Sequence, residues 1–183
     1  FVDMNLDDYI SLISAPTADK PFNHTYTVSR LGNVIEDGGV RYINLEPREL
    51  KRVAIAQLKD NLPVWFGCDV DQSYLRDEGI MDTRALDIDA LFGFPVEGAL
   101  NKAERLDYGE SLMTHAMVLE GVNLDQNDKP TLWKVENSWG KDAGKDGYLI
   151  MSADWFHLYG GEIDVRREYV PTELLDSWDD ESK

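Results

Sequence analysis

Two strand-like segments in the second half of the chain constrain its fold more than any other feature. The first runs from His115 to Val122, the second from Thr131 to Asn137, and the polar loop from Asn123 to Pro130 joins them. Two apolar runs joined by a short polar loop predict a β-hairpin. Such a hairpin brings His115, at the start of its first strand, close to Asn137, at the end of its second.

Periodicity and turn residues predict the remaining elements. The clearest helix runs from Glu46 to Asn61, with Pro47 in its first turn and apolar residues at a period of 3.6. The spacing of apolar residues also predicts a helix for Leu6 to Ile13, and further helices are predicted for Thr83 to Phe92, Leu100 to Tyr108 and Ser152 to Tyr159. Further strands are predicted for Thr25 to Val28, Arg41 to Leu45, Pro63 to Cys68, Gly147 to Met151 and Ile163 to Val170. This order predicts an α+β fold of one domain over residues 1–183, with a mostly antiparallel sheet or open barrel in the second half.

The charge and the cysteine content exclude several functional classes. The net charge is −17, from 35 acidic and 18 basic residues, which disfavours nucleic-acid binding and attracts cationic ligands such as peptides with a free amino terminus. The apolar runs are too short to span a bilayer. Cys68 is the single cysteine, so no internal disulfide can form, and a reducing cytoplasm is the expected location.

The segments around His115 and Asn137 carry the residue types of a general-base site. An asparagine carbonyl can accept the imidazole N–H and hold the ring in one orientation without adding a charge. Trp139 can cover that bond and keep water away, which strengthens it, and Gly140 lets the chain turn beneath the indole. The usual partner of such a pair is a cysteine thiolate.

Other polar groups do not form comparable patterns. His24 and His157 have no Asn-Ser-Trp-Gly segment downstream of them, so only His115 is a candidate base. Asp125, Asn127 and Asp128 lack the spacing of a calcium loop and predict a solvated hairpin turn. The acidic segment from Asp176 to Glu181 predicts a mobile tail.

Longer motifs resemble the papain-like cysteine peptidases, and specifically their bleomycin hydrolase and bacterial aminopeptidase C branch. The motifs are Pro-Val-Trp-Phe-Gly-Cys-Asp-Val from Pro63, Tyr-Gly-Glu-Ser-Leu-Met-Thr-His-Ala-Met from Tyr108, and Glu-Asn-Ser-Trp-Gly from Glu136. The resemblance covers nearly the whole chain and matches the carboxy-terminal part of that family. It implies the barrel-rich C-terminal half of the papain-like fold, with helical insertions.

The resemblance also implies roles for individual residues. His115 corresponds to the general base, Asn137 to the residue that orients it and Trp139 to the indole that shields their bond. In the family, the nucleophilic cysteine and an oxyanion-hole glutamine lie far upstream, and this sequence contains no such segment. The chain therefore resembles the His/Asn half of a cysteine aminopeptidase, whose missing N-terminal half would carry Cys and Gln. No cofactor and no metal are expected.

Cys68 is a poor candidate for the nucleophile. It follows a strand, and Asp69 and Asp71 beside it raise the pKa of its thiol. The equivalent cysteine in the family is not the nucleophile. We therefore expect Cys68 to be buried and inert.

The resemblance leaves the type of peptidase open. Family members extend a C-terminal arm into the cleft, where its carboxylate binds the substrate's amino group, and the family's usual ending is not found at Ser177 to Lys183. The main expectation is an aminopeptidase, and the alternatives are an armless endopeptidase or a non-catalytic binding or assembly module. The expected partners are peptide substrates and, because the family forms hexamers, further copies of the protein.

Overall fold

The computed structural model describes residues 5–29, 31, 39–96 and 100–179. Its helices are α1 (Pro47–Lys59), α2 (Ile88–Phe92), α3 (Lys102–Asp107), α4 (Ala153–Tyr159) and α5 (Thr172–Asp179). Its strands are β1 (Tyr9–Ile13), β2 (His24–Thr27), β3 (Arg41–Asn44), β4 (Val64–Cys68), β5 (Tyr74–Leu75), β6 (Ile80–Met81), β7 (His115–Leu124), β8 (Pro130–Glu136), β9 (Tyr148–Ser152) and β10 (Gly160–Arg166). The expected α+β class is confirmed.

The strands of the described residues form one sheet in the order β2-β3-β1-β10-β4-β7-β8-β9-β6-β5. Most neighbours are antiparallel, and only β1 with β3 and β6 with β9 run parallel. The predicted hairpin is present as β7 and β8, with Val118 opposite Glu136. On its other edge β7 pairs with β4, which in turn pairs with β10. Because His115 begins β7, it lies at one end of the central part of the sheet.

Helix α1 covers the central strands, close to the predicted bounds. Its buried face carries Leu50, Val53, Ala54 and Gln57. Gln57 links the helix to the sheet, because its Nε2 donates to Pro63 O at 2.8 Å and its Oε1 accepts from Arg166 N–H at 2.8 Å. Both polar atoms of this buried side chain are therefore satisfied, which removes the cost of burying them.

Helix α4 begins at the predicted cap and completes the core. Ser152 Oγ accepts the Trp155 N–H at 3.2 Å, as an N-cap residue does. The Phe156 ring lies 5.8 Å from the Phe66 ring and 5.1 Å from the Trp133 ring, centroid to centroid. These aromatic contacts join α4 to β4 and β8, the strands on either side of β7.

The helical spacing predicted for the N-terminal segment is wrong. Leu6–Asp8 form one turn of 3-10 helix, and Tyr9–Ile13 form β1. Within β1 burial alternates, with Ile10 and Leu12 in the core. Pairing with β10 and β3 supplies the backbone hydrogen bonds of this segment and buries one of its faces.

The prediction of a mobile acidic tail is also wrong for the part of that segment that the structure describes. Thr172–Asp179 form α5, which packs against β2 and β3. Thr25 Oγ1 donates to Ser177 O at 2.9 Å, and Arg41 donates from Nη1 to Trp178 O at 2.9 Å. The Arg41 guanidinium also lies 4.6 Å from the centre of the Trp178 ring. Glu181 lies outside the described residues.

Smaller differences concern element ends. The helix predicted for Thr83 to Phe92 forms only over Ile88–Phe92, and the last strand ends at Arg166 and continues as a turn of 3-10 helix. Gly32-Asn33 and Asp37-Gly38 are residue pairs typical of turns, and both pairs lie outside the described residues. None of the described helices is both long and apolar enough to cross a membrane.

Candidate active site

The hairpin brings the predicted base and its predicted orienting residue into contact. His115 is the first residue of β7, and Asn137 directly follows the last residue of β8. The Nε2 atom of His115 lies 2.9 Å from Oδ1 of Asn137. The expected contact is therefore present, and it results from a local pairing of strands.

A second hydrogen bond to Asn137 determines which nitrogen of His115 carries the proton. The Ser138 N–H donates to Asn137 Oδ1 at 2.8 Å. A backbone N–H can only donate, so the amide atom at this position must be the oxygen. His115 Nε2 must then donate to the same oxygen. In a neutral ring Nδ1 is therefore the nitrogen with the free lone pair, the atom that can accept a proton.

This arrangement leaves the other end of the Asn137 amide unpaired. Its Nδ2 is buried and has no hydrogen-bond partner in the part of the chain that the structure describes. An unpaired buried donor costs about 1–3 kcal/mol. The two hydrogen bonds to Oδ1 hold the amide in this orientation despite that cost.

Trp139 lies over the pair, as the sequence predicted. Its ring centroid is 4.8 Å from that of His115, with 32° between the ring planes. Gly140 follows with a φ of +88°, a backbone conformation that glycine adopts without strain. The indole removes water from one side of the imidazole, and a hydrogen bond in a drier environment is stronger.

Arg76 adds a contact that the sequence did not predict. Its guanidinium lies 4.6 Å from the centre of the Trp139 ring. The centroid of the Tyr74 ring lies 6.1 Å from that of Trp139. Both residues come from the acidic, turn-rich segment before α2, where no motif indicates a link to Trp139. A cation over the face of an indole is a stabilising contact, and it helps to hold Trp139 in place.

Cys68 is close to His115 along the sheet but lies in the hydrophobic core. The two residues are opposite each other in the pairing of β4 with β7. Cys68 is 0% exposed and packs among the core residues. Burial, and secondarily the charge of Asp69, raises the pKa of its thiol far above the ordinary value. A neutral thiol that substrate cannot reach cannot act as the nucleophile.

The other polar candidates lie outside the His115–Asn137 pair. His24 lies in β2 opposite Asn44, and His157 lies in α4, where burial followed by the charges of Lys51 and Lys102 lowers its pKa. Asp125 accepts the N–H groups of Asn127 and Lys129 at 2.8 and 2.9 Å and so stabilises the hairpin turn. Among the described residues, no group of three or more His, Cys, Asp or Glu could hold a metal ion.

A cavity of about 250 Å³ lies beside the segment that leads to His115. Its lining includes the apolar residues Leu112, Met113 and Tyr159 and the ionisable residues Lys102 and Glu162. Burial, and then Lys51, lowers the pKa of Lys102 to about 7, and the Lys102 amine donates to Gly160 O. Burial, and then Asp164, raises the pKa of Glu162 to about 7.

Comparisons with known proteins agree with the motifs. The model of the Peptidase C1-like family matches residues 1–183. Aminopeptidase C of Lactococcus lactis subsp. lactis is 47% identical over 180 residues, which are 98% of this chain and 41% of that protein. Bleomycin hydrolase of Gallus gallus is 43% identical over 173 residues, which are 93% of this chain and 38% of the relative.

A solved structure gives the same result for the fold. PepW from Lactobacillus rhamnosis HN001 is 53% identical and superposes with a TM-score of 0.89, over 95% of this chain and 38% of that one. The chain thus spans about two fifths of the length of the proteins it matches. By sequence and by fold, the chain belongs to the Peptidase C1-like family of cysteine peptidases, with aminopeptidase C and bleomycin hydrolase among its relatives.

Proposed function

We propose that this chain is the His/Asn-bearing part of a cysteine aminopeptidase that removes N-terminal residues from peptides through a thioacyl intermediate. The observation that carries the proposal is the His115–Asn137 pair, in which Nε2 is bound at 2.9 Å and Nδ1 is left to accept a proton. The matches to aminopeptidase C support the choice of reaction. The single cysteine of the chain is buried, so the proposal takes the nucleophile from an upstream N-terminal half, together with the oxyanion-hole glutamine.

The proposed reaction uses one proton-accepting nitrogen in both of its stages. His115 Nδ1 accepts the thiol proton, and the resulting thiolate attacks the carbonyl carbon of the scissile peptide bond. The imidazolium then gives this proton to the leaving amine as the C–N bond breaks. In the second stage Nδ1 accepts a proton from water, the hydroxide attacks the thioester, and the thiol is released with the proton restored.

Asn137 and Trp139 act on this reaction through His115. The amide oxygen of Asn137 stabilises the N–H of the imidazolium that forms in each stage, and the indole limits the water that competes for it. We further propose that the cavity lined by Met113, two residues before His115, receives a side chain of the peptide substrate. The cavity volume of about 250 Å³ is below the roughly 300 Å³ at which pockets for drug-sized ligands begin. This volume therefore suits a single side chain.

The test uses the full-length protein and pairs of matched substrates. We expect thiol-reagent-sensitive release of the first residue from aminoacyl substrates, and little cleavage of the same peptides with a blocked amino group. Efficient cleavage of the blocked peptides would instead support the endopeptidase alternative. No thiol-dependent cleavage of either substrate would support the non-catalytic module.

The expected assembly and location need separate measurements. We propose, from the family resemblance, that the full-length protein self-associates and is cytoplasmic. Light scattering of the purified protein measures its mass in solution, and cell fractionation measures its location. A monomer, or a protein recovered outside the cytoplasm, would contradict these proposals without affecting the chemistry.

A further inference from the structure

The segment that leads into His115 is held by a buried carboxylate. Residues 109–114, here called the connector, join α3 to β7. Asp69, which directly follows β4, accepts the Ser111 hydroxyl at 3.0 Å and the Leu112 N–H at 3.4 Å. A third donor, Gln72 Nε2, reaches the same carboxylate at 3.0 Å.

The hydrogen bond between Asp69 and Ser111 is protected from solvent. Asp69 is 7% exposed and Ser111 is 5% exposed. Hydrogen bonds to an ionised carboxylate are stronger than neutral ones, and low local dielectric strengthens them further. The Asp69–Ser111 contact is therefore a firm anchor point for the connector.

The end of the connector is tied to the same stretch of chain. The Thr114 N–H donates to Cys68 O at 2.9 Å, and the Val70 N–H donates to Thr114 Oγ1 at 3.3 Å. Residues 68–70 therefore hold the connector at two points, one of them directly before His115. The position of the imidazole depends on where these residues fix the chain.

Apolar packing provides little anchorage at the start of the connector or at its middle. Tyr108, which precedes it, and Leu112 are 76% and 63% exposed. Gly109 has a φ of +67°, so the chain there has the conformational freedom of glycine. The Glu110 and Ser111 N–H groups donate to Arg105 O at 2.9 and 3.2 Å, so backbone contacts with α3 and the Asp69 carboxylate together restrain this part of the connector.

We propose that Asp69 is a positioning residue for His115, and that it acts by fixing the connector through Ser111 and Leu112. The proposal rests on the proposed peptidase function. Asp69 lies in the motif that starts at Pro63, and Ser111 lies in the motif that starts at Tyr108. One contact joins the two motifs, and neither residue touches the reacting atoms.

The test compares three variants of the full-length enzyme. Asp69→Ala removes the acceptor for the connector, and Ser111→Ala removes one of its hydrogen bonds. Asp125→Ala is the matched control, because Asp125 also accepts backbone N–H groups beside β7, but at the hairpin end of the strand far from His115. For each variant we would measure turnover per titrated active site, the pH dependence of alkylation of the active thiol by iodoacetamide, and the melting temperature.

A positioning role predicts changes that reduced stability alone would not cause. Asp69→Ala should lower kcat per titrated site by about tenfold or more, since small misplacements at an active site have effects of this size. Ser111→Ala should lower kcat less, in the same direction. The alkylation midpoint should move to higher pH in both, because a displaced imidazole stabilises the thiolate less. Asp125→Ala should change neither readout.

Two results would overturn the proposal, and they are distinguishable. If the wild-type enzyme is active but both variants retain its kcat per site and its alkylation midpoint, Asp69 has only a structural role, even if melting temperatures fall. If the wild-type enzyme shows no thiol-dependent turnover, the proposed function itself fails. Should Asp69→Ala fail to fold, Ser111→Ala alone decides the question, because it removes a single hydroxyl.

Discussion

Asn137 Oδ1 accepts two hydrogen bonds, one from His115 Nε2 at 2.9 Å and one from the Ser138 N–H at 2.8 Å. The backbone donor identifies the acceptor as oxygen and thereby places the imidazole proton on Nε2. His115 Nδ1 is then the nitrogen that can exchange a proton with a nucleophile.

Replacing His115 should abolish most of the activity. In the full-length enzyme we expect His115→Ala to lower kcat/KM by about a thousandfold or more, because no other group would hold the thiol proton or return it to the leaving amine. Turnover of an aminoacyl fluorogenic substrate measures this. His24→Ala, in exposed β2, is the control and should retain full activity. Equal losses in both variants would contradict the assignment of the base.

Replacing Asn137 should have a smaller effect. Asn137→Ala removes the acceptor for His115 and for Ser138, but Trp139 still packs against the imidazole at 4.8 Å. We expect kcat to fall by about tenfold to a hundredfold, as for loss of an orienting group rather than of the base itself. The same fluorogenic assay tests this. A loss as large as that of His115→Ala would mean that Asn137 does more than orient the ring.

The Cys68 thiol should be neither reactive nor required. It is fully buried, and burial raises its pKa, so folded protein should react with thiol reagents far more slowly at Cys68 than unfolded protein does. Mass spectrometry after timed labelling locates the modified cysteine. In the full-length enzyme, Cys68→Ala should keep its kcat within about threefold, since the side chain is buried and the contact with Thr114 uses the Cys68 backbone oxygen, which the substitution keeps. If a folded Cys68→Ala variant lost all turnover, Cys68 would be the nucleophile and our assignment would be wrong.

Glu162 should make the protein less stable as the pH rises. Burial raises its folded-state pKa from 4.5 to about 7, so folding favours the protonated form. Stability is therefore highest below the unfolded-state pKa and falls as the pH rises through the folded-state pKa. Glu162→Gln removes the charge, and it should stabilise the protein by about 1–3 kcal/mol at pH 8 but hardly at pH 4. Lys102 also titrates near pH 7, but its effect is present in both proteins and cancels in the comparison.

Thermal melting of the two proteins at both pH values measures this difference. The expected result is a higher melting temperature for Glu162→Gln at pH 8 only. A variant less stable than the wild type at pH 8 would show that the Glu162 carboxylate has a favourable partner in the folded protein.

The candidate site was predictable from the sequence because its parts are close along the chain. His115 and Asn137 belong to one hairpin, whose loop and strand lengths indicate its pairing. The α1 helix was equally clear, since its period and its proline define its start. In both cases the interactions that determine the structure are local.

The predictions that failed depend on contacts between distant parts of the chain. Leu6 to Ile13 fits a helical period, but β1 forms because this segment pairs with β10, which lies near the other end of the sequence. The acidic segment from Asp176 to Glu181 predicts a mobile tail, yet Ser177 and Trp178 within it bind Thr25 and Arg41. The Asp69–Ser111 contact likewise joins two segments whose spacing carries no signal. Local patterns cannot indicate such partners.

The most direct test of the account is to compare the activity of the chain alone with that of the chain joined to the proposed upstream half. The 183-residue chain contains the proposed base and its proposed orienting residue, but its single thiol is buried. We expect no thiol-reagent-sensitive release of N-terminal residues by the isolated chain, and recovery of that activity when it is refolded with the upstream segment that carries Cys and Gln. Turnover of the same aminoacyl fluorogenic substrate is measured in both samples. Robust, thiol-dependent turnover by the isolated chain would contradict the account, because Cys68 would then have to be the nucleophile.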